Sequence, residues 1–578
     1  MLPGIQGPFQ WVAGVTGAST DEVKLLSSFL ISYPLAGLLK RVPDDKPWAK
    51  NAFNIFIAVF YLIGLFDLWS GLLTVIFQSV GTYAIAANIT GPYMPWVSFV
   101  FNMGYMSISH IYRQIAADPS KVDVTGAQMV LVMKLTAFAW NVFDGTLPED
   151  TLDSYQKDRR LTQLPGYFDF AGFVAFFPSF MIGPAFDYIE YDRWLKTSMF
   201  DLPPGVDAAK APATRGKRRI PRSGTPAMFK AGEGILWIVA FLFFSPIYTT
   251  SFMLGDQYKT YNFLRKIFIL YMFNLTVRMK YYGVWSLTEG ACILSGIGFK
   301  GINPKTGKAE WDRLTNIRPL GVELAQNSHA YLGNWNINTN HWLRNYIYLR
   351  VTPKGKKPGF RATMATFVTS AFWHGFYPGY YLTFVLGSFV QNMAKQSRRL
   401  IRPFFLDPDG KTALPSKRYY DVFTWLITQI SFAFVTTPFI LLTIGDSLAV
   451  WARVYFYLII GLCVGNAVLL THGKTFLRNE LKKHSRPGLV RADSHDKQGT
   501  YLGLPGDPGG EWDEMVEELS AEMERRKREG KPITDDLKKA WDDMKKQVSD
   551  ELERRKQAGQ PIPEDLKKIA REKLGKDI

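Results

Sequence analysis

Residues 422–444 read VFTWLITQISFAFVTTPFILLTI, 23 positions without one charged side chain. A helix that crosses the hydrocarbon of a bilayer needs about 20 mostly apolar residues, each rising about 1.5 Å. This stretch is long enough, and it has company. Further apolar stretches lie at Leu25–Leu39, Ala52–Phe66, Gly71–Ile89, Trp96–Ile111, Ala127–Phe143, Phe168–Ile182, Ile235–Leu254, Phe263–Leu275, Ala362–Phe376, Tyr381–Ala394 and Leu448–Leu470. Apolar residues make up 47% of the 578-residue chain, an ordinary share for a soluble protein, so their clustering carries the assignment. Phe168–Ile182 and Ala362–Phe376 fall short of a full span and read as re-entrant or protein-buried helices lining a cavity. The expected fold is an all-α polytopic membrane protein. About ten to twelve transmembrane or re-entrant helices surround a buried chamber.

The start of the chain lacks the basic and small-residue features of a cleaved signal peptide, so the first helix is expected to insert uncleaved. Cys292 and Cys463 are the only cysteines, and both sit in apolar surroundings. Two such residues argue against a disulfide framework or a zinc site, and both are expected to be packing residues.

The formal net charge is +17. From Lys474 onward 24 basic and 23 acidic residues nearly cancel, so almost the whole excess belongs to the membrane body, residues 1–473. Basic residues gather in cytosolic loops. Lys210, Arg215, Lys217, Arg218, Arg219 and Arg222 form one candidate loop, and Lys395, Arg398, Arg399 and Arg402 another. A third cluster is Lys354, Lys356, Lys357 and Arg361. Attraction to anionic lipid accounts for such charge at about 1 kcal/mol per residue. No nucleic-acid motif accompanies it, and a nucleic-acid partner is not expected.

Residues 474–510 form a basic segment with a Gly/Pro-rich linker, and 511–578 a charged helical tail. Within the tail Glu524-Arg525-Arg526-Lys527 recurs 29 residues later as Glu553-Arg554-Arg555-Lys556. Two units are too few for a solenoid. A solvent-exposed cytosolic appendage without a catalytic role is expected.

His374 lies in an apolar, aromatic setting, SAFWHGFYPGYY at 370–381. An ionisable group at membrane depth is costly and therefore a functional candidate. Imidazole titrates near neutral pH and can accept a proton at useful rates. The alternative is a histidine that donates to a nearby carbonyl and only holds helices together. Upstream, NWNINTNHWLRNY at 334–346 sets five asparagines and His341 among two tryptophans. An asparagine amide donates without carrying charge and could stabilise a developing oxyanion. A loop of turn-forming asparagines is the alternative.

These segments also carry a resemblance. Trp335-Asn336, Trp342-Leu343 and Tyr346-Ile347-Tyr348, followed by Trp373-His374-Gly375 and Gly379-Tyr380, are similar to the signature of the membrane-bound O-acyltransferases. The likeness is to the lysophospholipid acyltransferase branch in its fungal form. Asp123–Met129, Phe138-Ala139-Trp140-Asn141, Pro178-Ser179-Phe180, Gly183-Pro184, Asp187-Tyr188 and Glu323 extend it from about Asp123 to Tyr381. The sterol and diacylglycerol branch carries Phe-Tyr-x-Asp-Trp-Trp, which does not occur here, so a lysolipid acceptor is favoured.

The resemblance implies His374 as the catalytic base and Asn336 as its partner, with Asn338 and Asn340 as neighbouring candidates. It implies substrate contacts from Trp335, Trp373 and Glu323. It also implies acyl transfer from acyl-CoA, a co-substrate, to a lysophospholipid hydroxyl in the endoplasmic reticulum membrane, with no metal or resident cofactor. Lys354, Lys356, Lys357 and Arg361 are candidates for the CoA phosphates, with ordinary cytosolic charge as the equal alternative. A competing class is a non-catalytic lipid transporter or scramblase, in which polar residues line a path and no bond forms. No repeat across the membrane body supports it. Gly296-Ile297-Gly298-Phe299-Lys300-Gly301 fits G-x-G-x-x-G, but without a strand-to-helix context that match is weak.

Overall fold

The computed structural model describes residues 6–484 apart from 117–121, 203–211, 215, 217, 304–305, 353–359, 408–411 and 471. It also describes 538, 541–542, 545, 549 and 552–553 of the tail, whose expected repeat otherwise lies outside the described residues. Among the described residues the regular structure is helical. The exception is one antiparallel pair of short strands, Gly301–Ile302 with Ala309–Glu310. The Gly-x-Gly-x-x-Gly stretch runs into this hairpin, with Gly296 ending the preceding helix at φ +100.

Among the described residues six helices are long and apolar enough to cross a membrane: Thr20–Leu39, Pro47–Leu65, Trp69–Asn88, Thr125–Gly145, Gly224–Phe244 and Lys417–Leu441. A seventh passes if the interrupted pair Ile444–Arg453 and Tyr457–Leu469 counts as one. The chain is an all-α polytopic membrane protein. The remaining apolar stretches build shorter or more polar helices, among them Met94–Ala116, Phe360–His374 and Pro378–Ile401.

Several boundaries differ from the apolar pattern, each for a local reason. Phe263–Leu275 is only the opening of a 33-residue helix, Phe263–Ser295. Arg278 and Glu289 end the apolar run without ending the backbone ladder, and both are buried there. Leu448–Leu470 is divided because Tyr455 and Phe456 adopt left-handed conformations, φ 57 and 48. Phe168–Ile182 is two short helices, Tyr167–Val174 and Phe177–Phe180, the second with Pro178 in its first turn. Cys292 is buried as expected, whereas Cys463 is exposed on an outward face of its helix.

The described chain clusters into two compact units. One comprises Met1–Val322, Asn334–Leu386 and Phe432–Tyr455. At its heart is Thr125–Gly145, a helix buried nearly all round. Several of its polar side chains are paired within the unit. Gln128 donates to Gln78 at 3.0 Å, Thr136 accepts from the Trp342 indole at 2.9 Å, and Asp144 holds Arg350 in a bidentate pair. Leaving one such buried group unpaired would cost about 1–3 kcal/mol, so these contacts select one arrangement of the neighbouring segments. An aromatic core of Phe138, Phe170, Phe173, Phe176, Tyr191 and Trp194 packs beside it.

The other unit comprises Glu323–Gly333, Gly387–Ser431 and Phe456–Ile578. In it Trp425 and Gln429 both donate to the Glu323 carbonyl, at 2.7 and 3.0 Å.

Candidate active site

Both candidate catalytic residues stand at helix ends. His374 is the last residue of Phe360–His374. Gly375 stops the helix: at φ +120 it takes a conformation that an L side chain resists, and its N–H closes the turn on the Ala371 and Phe372 carbonyls. The next helix, Pro378–Ile401, begins with Gly379 pressed on Pro438, where an added Cβ would meet the Pro438 carbonyl oxygen. That close approach explains the Gly-Tyr pair of the motif and brings Phe439 over the site.

The His374 imidazole is framed by aromatic rings. Phe384 stacks on it at 5.3 Å, Phe439 meets it edge-on at 4.9 Å, and Tyr380 lies at 5.6 Å. The ring is half-buried, and neither nitrogen has a hydrogen-bond partner among the described residues. The frame therefore fixes the plane of the ring and leaves its nitrogens unoccupied.

Asn336 caps the short helix Ile337–Leu343 in a left-handed conformation, φ 44 and ψ 54. Asparagine visits this region more readily than other side-chain-bearing residues, which explains the residue type at the turn. Its Oδ1 accepts from the Thr339 hydroxyl at 2.8 Å. With the carbonyl end held, the Nδ2 group is left to donate, since it has no partner among the described residues.

One helix carries both groups. The Trp373 indole donates to the Met129 carbonyl at 3.0 Å, and the Thr339 hydroxyl lies 3.4 Å from Met133 Sδ. Met129 and Met133 are one turn apart on Thr125–Gly145, a rise of about 6 Å. Trp342 completes the link, its ring 6.1 Å from Trp373. The segments that bear the imidazole and the amide are thus docked on successive turns of Thr125–Gly145, through the neighbours Trp373 and Thr339. A base beside an uncharged hydrogen-bond donor can deprotonate a hydroxyl and stabilise the oxyanion formed when that oxygen attacks a carbonyl.

The family model for the membrane-bound O-acyltransferases matches residues 111–437, more than half of the chain. The chain belongs to that family. This membrane-bound O-acyltransferase is 43% identical over 85% of its length to Lysophospholipid acyltransferase of Schizosaccharomyces pombe, covering 94% of that protein. It is 40% identical over 76% of its length to Lysophospholipid acyltransferase of Saccharomyces cerevisiae, covering 72% of it. A human relative, Membrane-bound glycerophospholipid O-acyltransferase 2, is 30% identical over 74% of the chain, with 79% of that protein covered.

The other sequence candidates separate into groups. Asn338 turns to the preceding loop, donating to Asn316 Oδ1 at 3.1 Å, and Asn340 donates to the Trp335 carbonyl at 2.7 Å. Both amides are occupied in building the segment. Trp335 packs on Tyr281, Tyr282 and Trp285, with ring centroids 5.1 to 5.9 Å away. Glu323 ends the short helix Pro319–Glu323 and is half-buried in the second unit. Arg361 is exposed in the first turn of Phe360–His374, about 20 Å of helix rise from His374. Lys354, Lys356 and Lys357 lie outside the described residues.

Three motif residues converge where sequence gave no reason for their meeting. The Tyr346 hydroxyl lies 2.8 Å from Asp187 and 3.0 Å from Asn141, while Arg159 pairs with Asp187 at 2.7 Å. This buried network docks the segment after Asn336 onto Thr125–Gly145. His110 was also passed over: its Nε2 lies 3.1 Å from the Trp373 carbonyl oxygen. A histidine inside the apolar stretch Trp96–Ile111 was the available signal, the same one that marked His374.

Proposed function

We propose that this acyltransferase moves an acyl group from acyl-CoA to the free hydroxyl of a lysophospholipid, giving a diacyl phospholipid and free CoA. The observation that carries the reading is that the unbonded His374 ring and the unbonded Asn336 amide belong to segments that dock, through Trp373 and Thr339, on adjacent turns of one buried helix. The two yeast relatives, each a lysophospholipid acyltransferase by name, support the lysolipid acceptor. A His374 nitrogen takes the hydroxyl proton as that oxygen forms a bond to the thioester carbon. The Asn336 amide donates to the carbonyl oxygen as it becomes an oxyanion. Collapse breaks the carbon–sulfur bond, and the imidazolium returns its proton to the departing thiolate. No nucleophilic side chain and no metal or resident cofactor takes part in this scheme. Holding donor and acceptor together in one chamber replaces an encounter between a soluble and a lipid-bound molecule.

Formation of diacyl phospholipid by purified protein in detergent, dependent on acyl-CoA, tests this reading. Lipid movement without bond formation would support a transporter or scramblase instead.

Arg361 stands at the opposite end of the helix from His374, as the phosphates of CoA stand at the opposite end of the pantetheine arm from the thioester. The Lys354, Lys356, Lys357 and Arg361 cluster is therefore assigned to those phosphates. Replacing the three lysines with glutamine is expected to raise the KM for acyl-CoA and flatten its dependence on salt. Exposed phosphate contacts are screened over about 8 Å at physiological ionic strength. Turnover at saturation and the KM for lysolipid are expected to hold, because uniform binding energy does not speed the chemical step. An acyl-CoA KM that is the same in the triple variant at every salt concentration would leave the lysines as topology signals only.

The endoplasmic reticulum, with the tail in the cytosol, fits a remodelling enzyme that draws on cytosolic acyl-CoA. Truncation at Gly510 is expected to leave kcat and both KM values unchanged in a correctly inserted protein. Loss of turnover in a stable truncation would assign the tail a part in the reaction.

A further inference from the structure

The two residues flanking His374 meet the same side chain from another helix. His110, in Met94–Ala116, is only 6% exposed and places Nε2 3.1 Å from the Trp373 carbonyl oxygen. Its ring also lies against Gly375, where an added Cβ would come within 3.2 Å of Nδ1 and 3.3 Å of Cγ. A carbonyl oxygen only accepts, so Nε2 carries the ring proton and Nδ1 is the bare nitrogen. The last carbonyls of a helix lack a donor from their own ladder. At this helix end Gly375 N–H serves the Ala371 and Phe372 carbonyls, and His110 serves the next one.

We propose that His110 is a positioning residue for His374, its Nε2–H fixing the Trp373 carbonyl and its ring bracing Gly375, so that the last peptide of the helix aims the imidazole at the acceptor hydroxyl. The proposal rests on His374 as the base. The region matched by the family model begins one residue after His110. Rotation of the peptide between Trp373 and His374 would swing the His374 side chain away from the hydroxyl. The Trp373 indole has its own anchor on the Met129 carbonyl. Loss of His110 therefore frees the last peptide while the helix stays docked, and the effect falls on the chemical step more than on folding.

The test compares wild type with His110→Leu, which fills the space without a donor, and His110→Gln, whose amide reaches about as far as Nε2. A misplacement of about 1 Å can cost about 10²-fold in rate, and a kcat loss of about that size is expected in His110→Leu. Both KM values and the unfolding midpoint in detergent are expected to hold, and His110→Gln to recover most of the loss. Unchanged kcat in His110→Leu would overturn the proposal. So would a loss confined to KM, or equal kcat losses in the two variants at unchanged midpoints. Should the leucine variant fail to fold, His110→Asn, with its amide set short of the carbonyl, takes its place under the same criteria. Labelling of His374 by diethyl pyrocarbonate, mapped by mass spectrometry, follows ring presentation without turnover. A rate altered in His110→Leu and restored in His110→Gln supports the proposal, and one rate in all three overturns it. An inactive wild type would sink the functional reading while the labelling still decides the role of His110.

Discussion

His374→Ala is expected to lose about 10² to 10⁴ in kcat, the usual cost of removing a general base, while the protein stays folded and monodisperse in detergent. Stability is expected to survive because the ring packs on Trp373, Tyr380, Phe384 and Phe439, and its loss breaks no hydrogen bond among the described residues. Helix Phe360–His374 remains docked through the Trp373 indole and through Trp373 packing on Trp342. Both KM values should change little, since the imidazole acts on the proton in flight and not on the bound ground state. The comparison is steady-state turnover of purified wild type and variant at saturating acyl-CoA and lysolipid. Near-wild-type turnover in a folded variant would remove His374 from the chemistry.

Asn336→Ala is expected to lower kcat by about 10² to 10³, the range found when one oxyanion donor is removed. Two effects would be mixed in that variant, because alanine in the left-handed region also costs roughly 1–2 kcal/mol. Asn336→Gly separates them. Glycine accepts φ 44 without strain, so its loss of turnover reports the amide alone. Asn338→Ala and Asn340→Ala should do less, because their amides are spent on Asn316 and on the Trp335 carbonyl. Equal losses at all three positions would make the segment structural. A larger loss at Asn340 would move the donor there. Turnover in the four variants, with unfolding midpoints alongside, decides among these outcomes.

The membrane fold was legible because hydrocarbon demands long uncharged runs, as residues 422–444 supply. Boundaries were less so wherever the chain buries charge with a partner. Glu289, within a helix that hydropathy ends at Leu275, lies 3.5 Å from Lys230 and accepts from Thr315. Hydropathy counts such a residue as an interruption, but the ladder of a helix does not. His374 and Asn336 stood out as polar groups among aromatics in ordered motifs. The resemblance already put Asn336 ahead of Asn338 and Asn340, and the hydrogen-bond partners that occupy the latter two amides were not legible in the sequence. His110 escaped because it is 263 positions from Trp373, and sequence spacing says nothing of contacts that distant in the chain. The meeting of Tyr346 with Asp187 and Asn141 was hidden for the same reason.

Direct transfer without an acyl-enzyme is tested most plainly by mixing purified protein with acyl-CoA alone, then adding lysophospholipid while free CoA and diacyl phospholipid are measured. One-step transfer with His374 as base predicts no CoA release before the acceptor arrives. Afterwards CoA and phospholipid should appear mole for mole. One equivalent of CoA released beforehand, with the protein mass raised by the acyl group, would contradict it.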